Sequence, residues 1–91
     1  MRYSIHEISS ICQVEIINEQ IYPGIIDEIY FDTRKGCYSA NNLFLALQNT
    51  NTDGHDYIHE AYHTLGTRNF FVSKMLDISL FPGANFFLCK D

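Results

Sequence analysis

Apolar residues fall into short blocks along this chain, and the spacing inside each block separates helix from strand. Ile5, Ile8, Ile11 and Cys12 recur at helical spacing, behind a Ser4-x-x-Glu7 capping box with Tyr3 and Ile8 placed for a hydrophobic staple. This predicts a helix over residues 4–12. Residues 14–17 read as a short strand, and residues 18–24, with Pro23-Gly24, as the turn after it. Residues 25–31 are rich in β-branched and aromatic side chains and read as a second strand, which delivers Asp32-Thr33-Arg34 to its end. After a polar connection over 36–42, residues 43–47 are apolar at every position, the mark of a central strand covered on both faces. A polar loop over 48–52 follows. From His55 onward, Ile58, Ala61, Tyr62 and Leu65 fall at i, i+3, i+4 and i+7, one stripe of a helix that Gly66 stops. Residues 70–73 and 85–89 give two more strands around a loop with Pro82-Gly83. The alternation predicts a small α/β sandwich, with a mixed sheet of about five strands and two main helices.

Size and charge narrow what such a sandwich does. The chain has 91 residues, one small domain that buries roughly 60–65% of its unfolded surface. A catalytic core with its own nucleotide site hardly fits in it. Apolar residues at 46% and aromatics at 14% indicate a packed domain, and no repeat or low-complexity linker divides it. A net charge of −5, with six Lys and Arg spread thinly, argues against a general grip on nucleic acid backbones. No apolar run approaches the roughly 20 residues of a membrane span, and the polar start lacks a signal-peptide core, so a cytosolic protein is expected. Cys12, Cys37 and Cys89 show no paired spacing and read as small semi-buried thiols rather than disulfide or zinc ligands. His55, His59 and His63 are spaced by four, but successive fours drift around a helix and no Cys or carboxylate completes a metal site. No metal is expected.

The candidate chemistry sits at one rim. Polar residues just past a strand and at a helix start share the edge of an α/β sheet where backbone N–H groups are free and anions or sugars bind. Asp32 can accept from a ribose hydroxyl or a base N–H, Thr33 can donate and accept, and Arg34 can make a forked contact to phosphate. The plainer alternative is that Asp32 and Thr33 satisfy turn amides while Arg34 is solvated; Lys35 adds a second local cation. Asp53 is placed as an N-cap, Gly54 allows close backbone approach, and His55 can hydrogen-bond a ligand or simply begin the helix.

Asp32-Thr33-Arg34, Leu43-Phe44-Leu45-Ala46-Leu47 and Asp53-Gly54-His55, in this order and register, resemble the N-terminal domain of the Mur ligases. These are ATP-dependent enzymes that add amino acids to UDP-N-acetylmuramic acid, and the match, from Tyr3 to Lys90, is to the MurF type, which adds D-alanyl-D-alanine to the tripeptide intermediate. The resemblance implies that Asp32, Thr33, Arg34, Asp53, Gly54 and His55 hold the uridine end of the UDP-sugar, with Asn49 and Thr52 of the preceding loop contributing and Asn51 beside them. Two departures stand out. Asn41-Asn42 replace the family's Pro-Gly, a place where Asn tolerates the left-handed conformation, and Gln48-Asn49 replace a basic residue and Gly.

The chain has no Gly-Lys-Ser/Thr phosphate loop. The resemblance therefore implies a domain of a longer polypeptide, with the ATP-binding central and C-terminal domains beyond it. ATP and magnesium would serve that full ligase, while this domain carries no cofactor and no catalytic residue and binds UDP-N-acetylmuramoyl-tripeptide. Two alternatives remain: the related ligase that adds the third stem-peptide residue, and a non-catalytic α/β interaction module like the N-terminal domain of HPr kinase.

Overall fold

The structure, a computed structural model, describes residues 2–17, 24–48 and 51–89. Most of the expected 18–24 turn, including Pro23, lies outside the described residues, as do Asn49 and Lys90. In chain order the elements are β1 (Tyr3–Ser4), α1 (Ile5–Cys12), β2 (Glu15–Ile17), β3 (Ile25–Ile26), β4 (Glu28–Tyr30), β5 (Asn42–Leu45), α2 (Ile58–Thr64), β6 (Asn69–Val72) and β7 (Asn85–Leu88). Short 3-10 turns occupy Thr33–Lys35, Gly54–Tyr57 and Ile78–Leu80.

The capping box forms in both directions: the Ser4 hydroxyl accepts from the Glu7 N–H, and the Glu7 carboxylate accepts from the Ser4 N–H, each at 3.0 Å. The helix it starts buries Ile5 and Ile8, and ends at Gln13, which takes the left-handed conformation with φ 56°. The expected stripe is shorter than its spacing implied: Ile11 is exposed, and so is Cys12, which like Cys37 was expected to be semi-buried.

Four strands run parallel and a fifth closes the sheet antiparallel, in the order β2-β7-β6-β5-β4. This is the expected mixed five-stranded sheet with two helices. Alternation along each strand sends side chains to two apolar layers. Tyr30, Phe44, Ala46, Phe70, Val72, Phe86 and Leu88 pack with Ile58 and Ala61 of α2. Leu43 and Phe87 pack with Ile5 and Ile8 of α1 and with Ile26, flanked by Leu45 and Phe71. Residues 43–45 are apolar because both faces of β5 are covered; the expected strand ends there, Ala46 being buried just past it while Leu47 leaves the sheet and is exposed.

The predicted strand over 25–31 is in fact two. Ile25 and Ile26 pair antiparallel with Ser4 and Tyr3 in a separate small ribbon, and the chain then crosses at Asp27, whose N–H bonds to Asn41 O, before β4 joins β5. β-Propensity marks extended backbone but not which neighbour it pairs with. Asn41 and Asn42 also differ from expectation. Neither adopts positive φ, and Asn42 is instead the first residue of β5.

The strand starts carry a buried amide ladder. Asn42, Asn69 and Asn85 open β5, β6 and β7 with 0% exposure. Asn85 Nδ2 donates to Asn69 Oδ1 (3.0 Å), Asn69 Nδ2 to Asn42 O (3.1 Å), and Asn42 Nδ2 to Cys37 O (3.1 Å). Among the described residues only Asn42 Oδ1 is buried without a partner. Polar groups this deep persist because they bond to one another.

Candidate functional site

Parallel strands deliver their carboxyl ends to one rim, and the loops leaving β4 and β5 form a cleft there of about 600 Å³. One wall is Phe31, Asp32, Thr33 and Arg34, just past β4. The other is Leu47, Thr52 and Gly54, and Tyr57 and Glu60 at the start of α2 close the side. A volume of this size lies within the roughly 300–1,000 Å³ of small-molecule sites.

On the β4 wall, Asp32 caps the turn that follows it. Its Oδ1 accepts from the Arg34 N–H (3.0 Å) and from Arg34 Nε (3.0 Å), while Oδ2 accepts from Arg34 Nη2 (2.8 Å). This forked contact and the backbone bond hold the Asp32 carboxyl down at about 2 and raise the Arg34 guanidinium above its ordinary value. The arginine fork expected to face a phosphate is thus engaged with its own turn, and Arg34 offers its remaining N–H groups to the solvent side.

On the β5 wall, the apolar run leaves the ladder after Leu45, where the Leu47 N–H turns back to Leu45 O (3.1 Å). Gln48 and Asp53 form an antiparallel bridge that closes the intervening loop, and the Gly54 N–H reaches Leu47 O at 2.5 Å. A Cβ on residue 54 would stand 2.6 Å from Leu47 N and 2.7 Å from Leu47 O, so only glycine permits this approach. Asp53 caps as expected, with Oδ1 accepting from the His55 N–H at 3.0 Å.

His55 stands differently from its expected role. Its side chain is only 2% exposed, and it does not line the cleft. Nδ1 lies 2.6 Å from Asp53 Oδ1, and the Ser73 N–H donates to Nε2 at 3.1 Å. Because Nε2 accepts, the proton resides on Nδ1, and both ring nitrogens are engaged inside the protein. Asp53 Oδ2 also accepts from Lys74 Nζ at 2.5 Å, and these bonds, with that to Lys74 foremost, hold the Asp53 carboxyl well below the usual carboxylate range.

Of the residues singled out in the sequence, the cleft gathers Asp32, Thr33, Arg34, Thr52 and Gly54, while Asp53 and His55 brace its wall from behind. Asn49 lies outside the described residues. Phe31, Leu47, Tyr57 and Glu60 went unnoticed. Tyr57 and Glu60 were detectable, since they are three apart and lie beside, not on, the Ile58–Ala61 stripe. His59 and His63 are exposed and stack on each other with ring centroids 5.9 Å apart, and no group of three His, Cys, Asp or Glu among the described residues is placed to hold a metal.

No protein-family model matches the chain, and no curated protein matches it. Solved structures do, and the fold they define is Mur ligase-like. A UDP-N-acetylmuramoylalanyl-D-glutamyl-2,6-diaminopimelate–D-alanyl-D-alanyl ligase from Acinetobacter baumannii aligns with 100% of this chain at a TM-score of 0.81 and 19% identity. Two crystal structures of MurF from the same organism also align with 100% of it, at TM-scores of 0.81 and 0.80 and 19% identity. The chain spans only 19% of the length of the first ligase and 18% of the other two. At this identity the likeness establishes the fold. No helix among the described residues is long and apolar enough to cross a membrane.

Proposed function

We propose that this chain is the substrate-gripping domain of an ATP-dependent peptidoglycan-precursor ligase of the MurF type, and that its cleft binds the UDP end of UDP-N-acetylmuramoyl-tripeptide. The observation that carries this reading is the cleft between the β4 and β5 exits, where Asp32, Thr33, Arg34, Thr52 and Gly54 converge. Phe31 and Tyr57 supply aromatic faces of the kind that stack on a nucleobase. Asp32, Thr33 and Glu60 supply acceptors for ribose hydroxyls and base N–H groups, and Arg34 supplies outward N–H donors for a phosphate. Asn49, beside Thr52 in sequence, belongs to the same proposed set.

The domain's share in the parent reaction is binding and orientation. Holding the nucleotide far from the reacting carboxylate lets remote binding energy offset the entropy of aligning that carboxylate with the incoming D-alanyl-D-alanine amine. Amide formation would belong to ATP-binding and C-terminal domains of a longer cytosolic polypeptide. Magnesium and ATP belong to those other domains in this reading, since no group of three His, Cys, Asp or Glu among the described residues is placed to hold a metal and the sequence has no Gly-Lys-Ser/Thr loop. No step of that chemistry is assigned to the residues of this chain.

An NMR titration of the 91-residue chain with UDP, then with UDP-N-acetylmuramoyl-tripeptide, tests the proposal. Shifts concentrated at residues 31–34 and 52–57 are expected. No response at millimolar ligand, or a response on another face, would replace it with the interaction-module reading.

A further inference from the structure

Resting on the proposed nucleotide cleft, we infer that Lys74 is a positioning residue for it: without lining the cleft, its ammonium group sets where the Thr52–Gly54 wall stands against the Asp32–Arg34 wall. The chain leaving β6 grips the β5-side turn at two consecutive residues. The Ser73 N–H donates to His55 Nε2 at 3.1 Å, and Lys74 Nζ donates to Asp53 Oδ2 at 2.5 Å. The other Asp53 oxygen takes both the N–H and Nδ1 of His55. Asp53 and His55 are therefore one braced unit, anchored to β6 at either end.

Gly54 lies between the two, and it has no slack. Its N–H is bonded to Leu47 O at 2.5 Å, and its Cα is so close to Leu47 that a Cβ would overlap the backbone. Any swing of the Asp53 carboxylate is passed through the peptide to Gly54 and Thr52, which face the ligand space. Removing the ammonium group leaves Oδ2 free to turn to solvent, and the bonds on Oδ1 must then tilt or lengthen.

Lys74 is 52% exposed, and an exposed pair contributes little to overall stability. The two roles thus separate. A stabilising contact would act on the whole fold or on nothing measurable, whereas a positioning contact acts on one turn and on the ligand.

The test compares Lys74→Met and Lys74→Arg in the 91-residue chain by amide hydrogen exchange and by UDP titration at a temperature where both are folded. In Lys74→Met, exchange of the Gly54 and His55 amides should be about tenfold faster while core β6 amides are unchanged, since local opening is independent of global unfolding. The UDP dissociation constant should rise about five- to tenfold, a normal coupling for a residue one shell away. Lys74→Arg should restore both to within about twofold, as it keeps the charge that Asp53 accepts. Unchanged exchange at Gly54 and His55, or faster exchange spread over every amide, would overturn the inference. If the unaltered chain shows no UDP binding, the functional reading fails instead, and the exchange results alone uphold or overturn the role of Lys74.

Discussion

At the entry edge of the parallel strands Asn42, Asn69 and Asn85 lie side by side with no exposed surface, while at the exit edge Phe31, Leu47 and Tyr57 stand 65%, 52% and 45% exposed around Asp32, Arg34 and Glu60. Both edges mix polar and apolar groups, but they use them oppositely. The entry edge ties nearly every amide to another protein group, which fixes the register of β5, β6 and β7. The exit edge leaves aromatic faces and acceptors open, at a cost in burial that a self-contained domain would not bear for packing alone. Buried hydrogen bonding is concentrated at one end, and the open cleft lies at the other.

Substitution at the ladder should separate the two edges most sharply. In Asn69→Leu the branched shape of the side chain is kept, but Asn42 O and the Asn85 amide each lose a bond in a site with no access to water. A stability loss of about 2–4 kcal/mol is expected, since losing a buried bond from one side costs about 1–3 kcal/mol. For a domain of this size that lowers the melting temperature by about 10–25 °C. The residues shifted by UDP in the fraction still folded should be unchanged. Thermal melts followed by circular dichroism, with the same titration at low temperature, check both halves; altered exit-edge shifts would mean that the edges are coupled.

The sequence made the elements legible more readily than their partners. Capping chemistry is local, so the Ser4–Glu7 box located the start of α1 to within one residue. The apolar block at 43–47 revealed a doubly covered strand, which the structure confines to its first three residues after Asn42, because burial on both faces favours apolar side chains. The break at Asp27 was invisible, since Ile25-Ile26 and Glu28–Tyr30 have the same extended character and differ only in what they pair with. The 3-10 start at Gly54–Tyr57 was likewise read as plain helix, because its side chains carry the same stripe. At the candidate site, Asp32 to Arg34 were singled out by their place after a strand together with the resemblance to the Mur ligases. Lys74 was not, because its contact with Asp53 joins two loops 21 residues apart and leaves no periodic trace.

Gly54→Ala attacks the exit edge where its backbone is tightest. The new methyl would meet Leu47 N at 2.6 Å and Leu47 O at 2.7 Å, and backbone atoms cannot rotate aside. Relief requires the 52–54 turn to move away from Leu47, so UDP binding should be lost. Overpacking of this kind costs about 1–3 kcal/mol, a smaller stability effect than the ladder change with a larger effect on the ligand. Denaturant unfolding beside the UDP titration gives both quantities. Retained affinity would show that the turn does not form the working wall.

Arg34→Ala should disturb stability least, because the side chain is exposed, yet its electrostatic signature is specific. Arg34 is the main reason that the Asp32 carboxyl is held at about 2 instead of 3.8. A carboxyl depressed in the folded state adds stability above its unfolded value, and that contribution fades as pH falls from about 4 towards 2. Without the guanidinium the Asp32 value should rise, but remain below 3.8, because the N–H of residue 34 still donates to Oδ1. Carboxyl carbon NMR over this pH range measures the change directly. The same variant should weaken UDP binding about tenfold if the outward N–H groups of Arg34 meet a phosphate, since charge-assisted bonds are about twice as strong as neutral ones. A raised Asp32 value with unchanged affinity would mean that the Asp32–Arg34 fork only closes its own turn, leaving recognition at the exit edge to the aromatic faces and acceptors.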